Sequence, residues 1–295
     1  MIPLKRGYIK LCGGIDQDDY EKVKALEKWC VEQDGISLKL ELEYKLAMSS
    51  NDRDAGAITE FMFYDHQALI GYIGINQFDG GPLEVNGMVH PDYRRMGVFN
   101  RLYSLVQDEW KRRGSQDMLL LCDHESLSGL EFMKHTGAHY DNSEYEMFLL
   151  GEPGELPTLK SLNLREALNQ DAKEIAEQNE LYFQVNATEL KRPEEEAKRG
   201  MYSYLAEMNH VTIGKVHLEV QDGVGGIYGL GVLPEHRRKG YGREIVMRAV
   251  EKLQEKHAEK MMLQVAVKNK QALELYRSCG FEVTSTMDYF KLTNQ

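Results

Sequence analysis

The segment Gly231-Val232-Leu233-Pro234-Glu235-His236-Arg237-Arg238-Lys239-Gly240-Tyr241-Gly242-Arg243 holds the residue types from which an anion site is made. A strand-like run leads into it, and an amphipathic helical period leaves it. At such a junction the first N–H groups of the helix have no acceptor within the helix. The helix dipole adds partial positive charge at the same end. Gly240 and Gly242 let a ligand oxygen approach the backbone closely. Arg237, Arg238, Lys239 and Arg243 add cations beside it. The chemistry that fits this combination is the cradling of a diphosphate.

The segment has an earlier copy, Met88-Val89-His90-Pro91-Asp92-Tyr93-Arg94-Arg95-Met96-Gly97-Val98-Phe99, 143 positions upstream. The same offset pairs Ile70-Gly71 with Ile213-Gly214, Leu130-Glu131 with Leu273-Glu274, and Gly137 with Gly280, with no gap. A constant offset over that span identifies a duplicated unit. Gly151-Glu152-Pro153-Gly154-Glu155-Leu156-Pro157 can continue neither a helical nor a strand period, so the expected domains are 1–150 and 158–295.

The elements that must position the loop follow the same order in each half. A short strand opens it, Leu162 to Arg165 in the second half, and a helix follows, with candidates Asp18–Glu32 and Asp171–Gln178 and Asp171 as N-cap. A hairpin comes next, Thr59–Tyr64 with Ala68–Phe78, or Tyr202–Glu207 with Val211–Val220. A strand then ends at Val89 or Val232, ahead of the loop and a long helix whose apolar face in the second half is Ile245, Val246, Ala249, Val250 and Leu253. An apolar strand, Met118–Cys122 or Met261–Val267, and a short helix ended by Gly137 or Gly280 close the pattern. The expected class is α/β or α+β.

Bulk properties narrow the partners. Hydrophobic residues at 42% and charged residues at 28% describe a globular chain long enough for two cores. A net charge of −11 argues against nucleic acid, whose phosphates need a basic face, and mostly serves solubility. No apolar run reaches membrane-spanning length. Residues Met1 to Gly14 carry no secretory pattern. Cys12, Cys30, Cys122 and Cys279 show no metal or disulfide spacing, so reduced thiols in a cytoplasmic protein without a bound metal are expected. Oligomeric state leaves no mark in the sequence.

Downstream of the loop stands Val265-Ala266-Val267-Lys268-Asn269-Lys270-Gln271-Ala272-Leu273-Glu274-Leu275-Tyr276-Arg277-Ser278-Cys279-Gly280-Phe281. With the loop, it resembles the GNAT superfamily of acyl-CoA-dependent N-acetyltransferases over most of residues 160–290. The resemblance implies two tandem GNAT-like domains, each a mixed, mostly antiparallel sheet flanked by helices, the first with a degenerate motif and the second catalytic. It implies acetyl-CoA as co-substrate and a primary amine of a small molecule or peptide as acceptor. Arg237, Arg238, Lys239, Gly240, Tyr241, Gly242 and Arg243 match the pyrophosphate loop, and Leu230, Gly231 and Val232 the strand that pairs with the pantetheine arm. Asn269 matches a cofactor-contacting asparagine, and Tyr276 the tyrosine that protonates the departing thiolate. Asn269 also reads as a helix N-cap, and Tyr276 as a core aromatic.

Two departures from the family pattern stand out. The family's base glutamate falls on Gly226, with Tyr228 on the same strand face, leaving Glu219, His217 or solvent to take the amine's proton. In the first half Gly242 becomes Phe99, Asn269 becomes Ser126 and Tyr276 becomes Met133. Phe99 is expected to crowd the phosphate position, while Cys122 reads as buried packing. These departures keep a non-catalytic acyl-CoA-binding or regulatory module open as the alternative.

Overall fold

The computed structural model describes residues 7–47, 56–78, 80–151, 162–183 and 190–294. Most of the expected interdomain segment, 152–157, lies outside them. In chain order the elements are β1 (Gly7–Cys12), α1 (Gln17–Asp34), α2 (Leu42–Ala47), β2 (Glu60–Asp65), β3 (Ala68–Gln77), β4 (Leu83–Val89), α3 (Val98–Arg113), β5 (Asp117–Asp123), α4 (Leu127–Met133) and β6 (His139–Leu149). They continue with β7 (Leu162–Glu166), α5 (Ala172–Phe183), α6 (Pro193–Ala197), β8 (Met201–Met208), β9 (Val211–Gln221), β10 (Val224–Val232), α7 (Tyr241–Glu255), β11 (Lys260–Ala266), α8 (Lys270–Ser278) and β12 (Phe281–Thr293). The expected α/β class holds, with the same element order in each half. No helix among the described residues is long and apolar enough to cross a membrane.

The chain divides into two compact units, Met1–Ser143 with Ser285–Gln295, and Glu144–Thr284. Both divisions fall inside strands, β6 and β12. In the first unit β1, β2, β3 and β4 pair antiparallel in sequence, and β4 runs parallel to β5. The far edge of β5 is closed by the C-terminal strand of the chain, from Met287↔Asp123 to Thr293↔Asp117. The second unit has the same ladder, β7, β8, β9, β10, then parallel β11. Its β11 is closed by the end of β6, from Met262↔Phe148 to Ala266↔Glu144. Each half's last strand thus serves the other unit. The division expected at 151–157 is displaced for that reason: final strands choose partners across the sequence, and a break of period cannot report such long-range pairing.

Local chemistry explains most helix ends. Asp16 caps α1 by accepting from Asp19 N–H at 2.8 Å, and Gly35 ends it at φ 65°. The nearby acids are occupied as well, Asp19 by Lys10 and Asp18 by Lys22, so this acidic cluster is a helix start. Helix α7 buries the face read from its period, with Ile245, Val246, Ala249 and Leu253 at 0% exposure. Asp171 does not cap α5 as expected. Its carboxylate accepts from Leu168 N–H and pairs with Arg165, pinning the turn before the helix.

A chain ended at Thr284 should lose protection of the β5 amides in hydrogen exchange, because Met287 and Tyr289 no longer cover Leu119 and Leu121. The β11 amides, paired within the other unit, should stay protected. Equal protection of β5 in both chains would contradict this account.

Candidate functional site

In the second unit β10 stays hydrogen-bonded to parallel β11 only from Val224↔Lys260 to Ile227↔Leu263. Beyond Ile227 the two strands part, while β11 goes on pairing with β6. The result is an opening in the sheet lined by the free edge of β10. On its other edge β10 is bulged: Tyr228 faces His217 and Gly231 faces Lys215, so Gly229 and Leu230 have no ladder partners. Gly229 adopts φ 53°, which a side chain would strain.

Immediately after Val232 the chain makes a 3-10 turn, Pro234–His236, and enters α7 through Gly240 at φ 87°. No side chain caps this helix. The N–H groups of residues 238–243 donate to no backbone carbonyl of the described residues. Two of the expected cations hold the loop itself: Arg237 Nε donates to Val232 O at 2.8 Å, and Lys239 Nζ to Glu235 O at 2.9 Å. Arg243 Nε is buried without a partner, an orphan cationic donor in the first turn of α7. A row of free amides beside an unpartnered guanidinium nitrogen fits a polyanion such as a diphosphate.

The other expected residues lie on β10, α7 and α8 and at the start of α8. A Cβ on Gly231 would lie 2.1 Å from the Tyr182 ring, so only glycine fits beneath that side chain. A Cβ on Gly242 would meet Leu275 of α8 at 3.2 Å, so this glycine serves helix packing. Tyr241 and Leu230 pack on the core of the unit. Asn269 caps α8, its Oδ1 accepting from Ala272 N–H at 3.2 Å. Tyr276 is 9% exposed and edge-on to Phe281. Its hydroxyl has no hydrogen-bond partner among the described residues, and burial pushes the phenol up to about 12. It is a persistent hydrogen-bond donor at neutral pH.

One group escaped the sequence reading. Lys215, on β9, is wholly buried. Its Nζ donates to the Gly229 carbonyl at 2.9 Å and to His217 Nε2 at 3.0 Å, while His217 Nδ1 meets Ser203 Oγ at 2.8 Å. The Tyr182 and Phe183 rings lie 5.8 and 5.3 Å from the ammonium. Burial lowers Lys215 to about 7. Burial, with Lys215 and Lys191 adding, lowers His217 to about 3. The candidacy of His217 as base weakens accordingly, since its imidazole already accepts from Lys215 and resists protonation. The available signal was the alternation Lys215, His217, Glu219 within an otherwise apolar strand. At the place of the family's base, the Tyr228 ring lies against Gly226: a Cβ there would be 2.3 Å from it.

The first unit keeps the loop with other residues at the matching positions. Arg94 Nε donates to Val89 O, Arg95 and Gly97 sit at φ 63° and 78°, and the strands part after Val85↔Leu120. Its Arg94 guanidinium is taken by Asp34. Phe99 packs edge-on to Phe132 of α4. Ser126 caps α4, and Met133 is buried packing. The ladder from Tyr72↔Met88 to Gly74↔Asn86 has no bulge, and Tyr72, Glu60 and Lys45 form a closed buried network.

Residues 165–281 match the family model described as acetyltransferase (GNAT) family. A mycothiol acetyltransferase of Thermobispora bispora is 26% identical over 285 residues, 89% of this chain and 92% of that protein. An uncharacterized N-acetyltransferase of Bacillus subtilis is 38% identical over 72 residues, 24% of this chain and 29% of its own. Among solved structures, a GCN5-related N-acetyltransferase from Sphaerobacter thermophilus aligns with a TM-score of 0.77 at 18% identity, covering 97% of this chain and 95% of that one. A tandem GNAT protein from the clavulanic acid biosynthesis pathway aligns with a TM-score of 0.71 at 14% identity, covering 98% of each chain. At those identities the two structures speak for the fold.

The buried pair gives stability a pH signature. Lys215 has a folded pKa of about 7 against 10.5, so between those values the unfolded chain binds more protons and stability rises with pH. His217, at about 3 against 6.5, makes stability fall as pH drops through that lower window. From pH 7 to 9.5, wild type should gain about 3 kcal/mol over Lys215→Met in urea unfolding. Parallel stability curves for the two proteins would show that the ammonium is not desolvated.

Proposed function

We propose that this chain, a member of the GNAT acetyltransferase family, uses acetyl-CoA to acetylate a primary amine, with the active centre in its second unit. One observation carries the reading: an opening in the sheet, a bulge with two residues outside the ladder and an uncapped helix start follow one another along residues 228–243. The amides of 238–243 and the Arg243 guanidinium would take the diphosphate. The free edge of β10, Leu230 to Val232, would pair with the pantetheine arm along the opening. The Leu230 N–H would then polarise the thioester carbonyl as the amine adds. The amine nitrogen forms a bond to the acetyl carbon, the carbon–sulfur bond breaks, and the thiolate leaves.

Tyr276 would meet that thiolate. With its phenol near 12 it stabilises sulfur first by hydrogen bonding, since full proton transfer to a thiolate of lower pKa is uphill. Asn269 would contact the cofactor through its amide nitrogen while its oxygen caps α8. With Gly226 covered by Tyr228 and His217 held neutral, water is the simplest acceptor of the amine's proton. The acceptor is a small-molecule or peptide amine, and the cytoplasm is the compartment that suits a chain with reduced thiols. The same covering of Gly226 favours the second reading, an acyl-CoA-binding module without turnover.

Calorimetry should count one acetyl-CoA per chain. Gly240→Asp should weaken that binding at least tenfold, because it strains a φ of 87° and sets a carboxylate beside phosphates. Affinity unchanged in that variant would place the diphosphate elsewhere. With a panel of amines, CoA release should fall on the order of a hundredfold in Tyr276→Phe while acetyl-CoA affinity holds. Tight binding with no turnover on any amine would decide for the binding module.

A further inference from the structure

The geometry points to Lys215 as a positioning residue for acetyl transfer, whose hydrogen bond to the Gly229 carbonyl aims the Leu230 N–H into the β10–β11 opening. This rests on acetyl-CoA lying along that opening, as proposed above. In a planar trans peptide, C=O and N–H point to opposite sides. The Gly229 carbonyl and the Leu230 N–H belong to one such unit. Lys215 draws the carbonyl toward β9, at 2.9 Å. The N–H therefore turns away from β9, toward the side where β11 has parted from β10 after Ile227. Neither strand ladder gives Leu230 a register partner, so this donor is the one the bulge turns toward the opening.

The surroundings make the pin rigid. His217 Nε2 takes a second Nζ hydrogen, and Ser203 fixes the far side of the imidazole. A Cβ on Gly229 would lie 2.5 Å from the His217 ring and 3.3 Å from Nζ, so the bulge is moulded onto this pair. The Tyr182 and Phe183 rings face the same nitrogen, and Tyr182 is itself tied to Gln178. Both the ammonium and the neutral amine have hydrogens enough for Gly229 and His217. The pin therefore survives titration of Lys215. The first unit supports the assignment by contrast. Tyr72 stands at the matching place, hydrogen-bonded to Glu60 and Lys45, and the strand opposite has no bulge to hold.

The test uses acetyl-CoA labelled with 13C at the thioester carbonyl and isotope-edited infrared spectroscopy on the full chain. In wild type the bound band should lie below that of free acetyl-CoA, as a hydrogen-bonded carbonyl requires. In Lys215→Met it should return toward the free position, kcat should fall tenfold to a hundredfold, and the acetyl-CoA Kd should stay within about threefold. Lys215→Gln, which keeps a donor, should fall between them and replaces the methionine variant if that one does not fold. A band and kcat unchanged in a folded Lys215→Met overturn the role of Lys215 alone, whereas a bound but unshifted band in wild type overturns the polarising role of the Leu230 N–H as well. Absence of any bound label in wild type overturns the acetyl-CoA reading along with it.

Discussion

Backbone N–H groups must find acceptors, and in this protein the places where they do not are the places of interest. A sheet satisfies them by pairing every strand on both edges, and a helix satisfies all but its first turn. Three breaches of that rule fall in succession between Tyr228 and Arg243: the bulge, the free edge of β10 and the uncapped start of α7. Each is held open by something costly, a glycine at positive φ, a buried lysine or a buried guanidinium nitrogen without a partner. Such features persist when the surrounding fold fixes them, and they commonly mark sites of function.

The two halves show how little separates a bulged strand from a plain one. Their ladders coincide at Tyr72↔Met88 and Lys215↔Gly231. One step further, Gly74 faces Asn86 in the first, whereas His217 faces Tyr228 in the second. The chain lengths match, so the difference is where one residue is spent. The first unit keeps it between Gln77 and Leu83, and the second places it in the bulge. Polar clusters occupy both places, the buried Lys45–Glu60–Tyr72 in one and, in the other, the buried Lys215 with the half-buried His217 and Ser203. The first is charge-balanced, with its lysine paired to a carboxylate. The second leaves an ammonium facing a carbonyl, an imidazole and two rings, which is why burial depresses it so far.

The exchanged strands tie the halves into one covalent design. Asp288 accepts from Ser143 and pairs with His124 at the end of β5, so the first unit is complete only once residues 285–293 have been made. The second unit likewise draws Glu144 to Phe148 from the segment preceding it. Loss of the first half would therefore uncover β11.

Much was legible without coordinates because it is local. The duplication is a matter of offset, the α7 face a matter of period, and the loop between β10 and α7 a matter of glycines and cations at a strand–helix junction. Asn269 as a cap is likewise written in neighbouring residues. What tertiary structure decided is non-local. The partner of each final strand, the carbonyl beneath Lys215, the aromatic ring over Gly231 and the bulge itself all depend on residues brought from elsewhere in the chain. A lysine in the middle of a strand reads as an exposed polar position until the fold buries it. Period and spacing are one-dimensional quantities, whereas burial and hydrogen-bond direction are set only when distant segments meet.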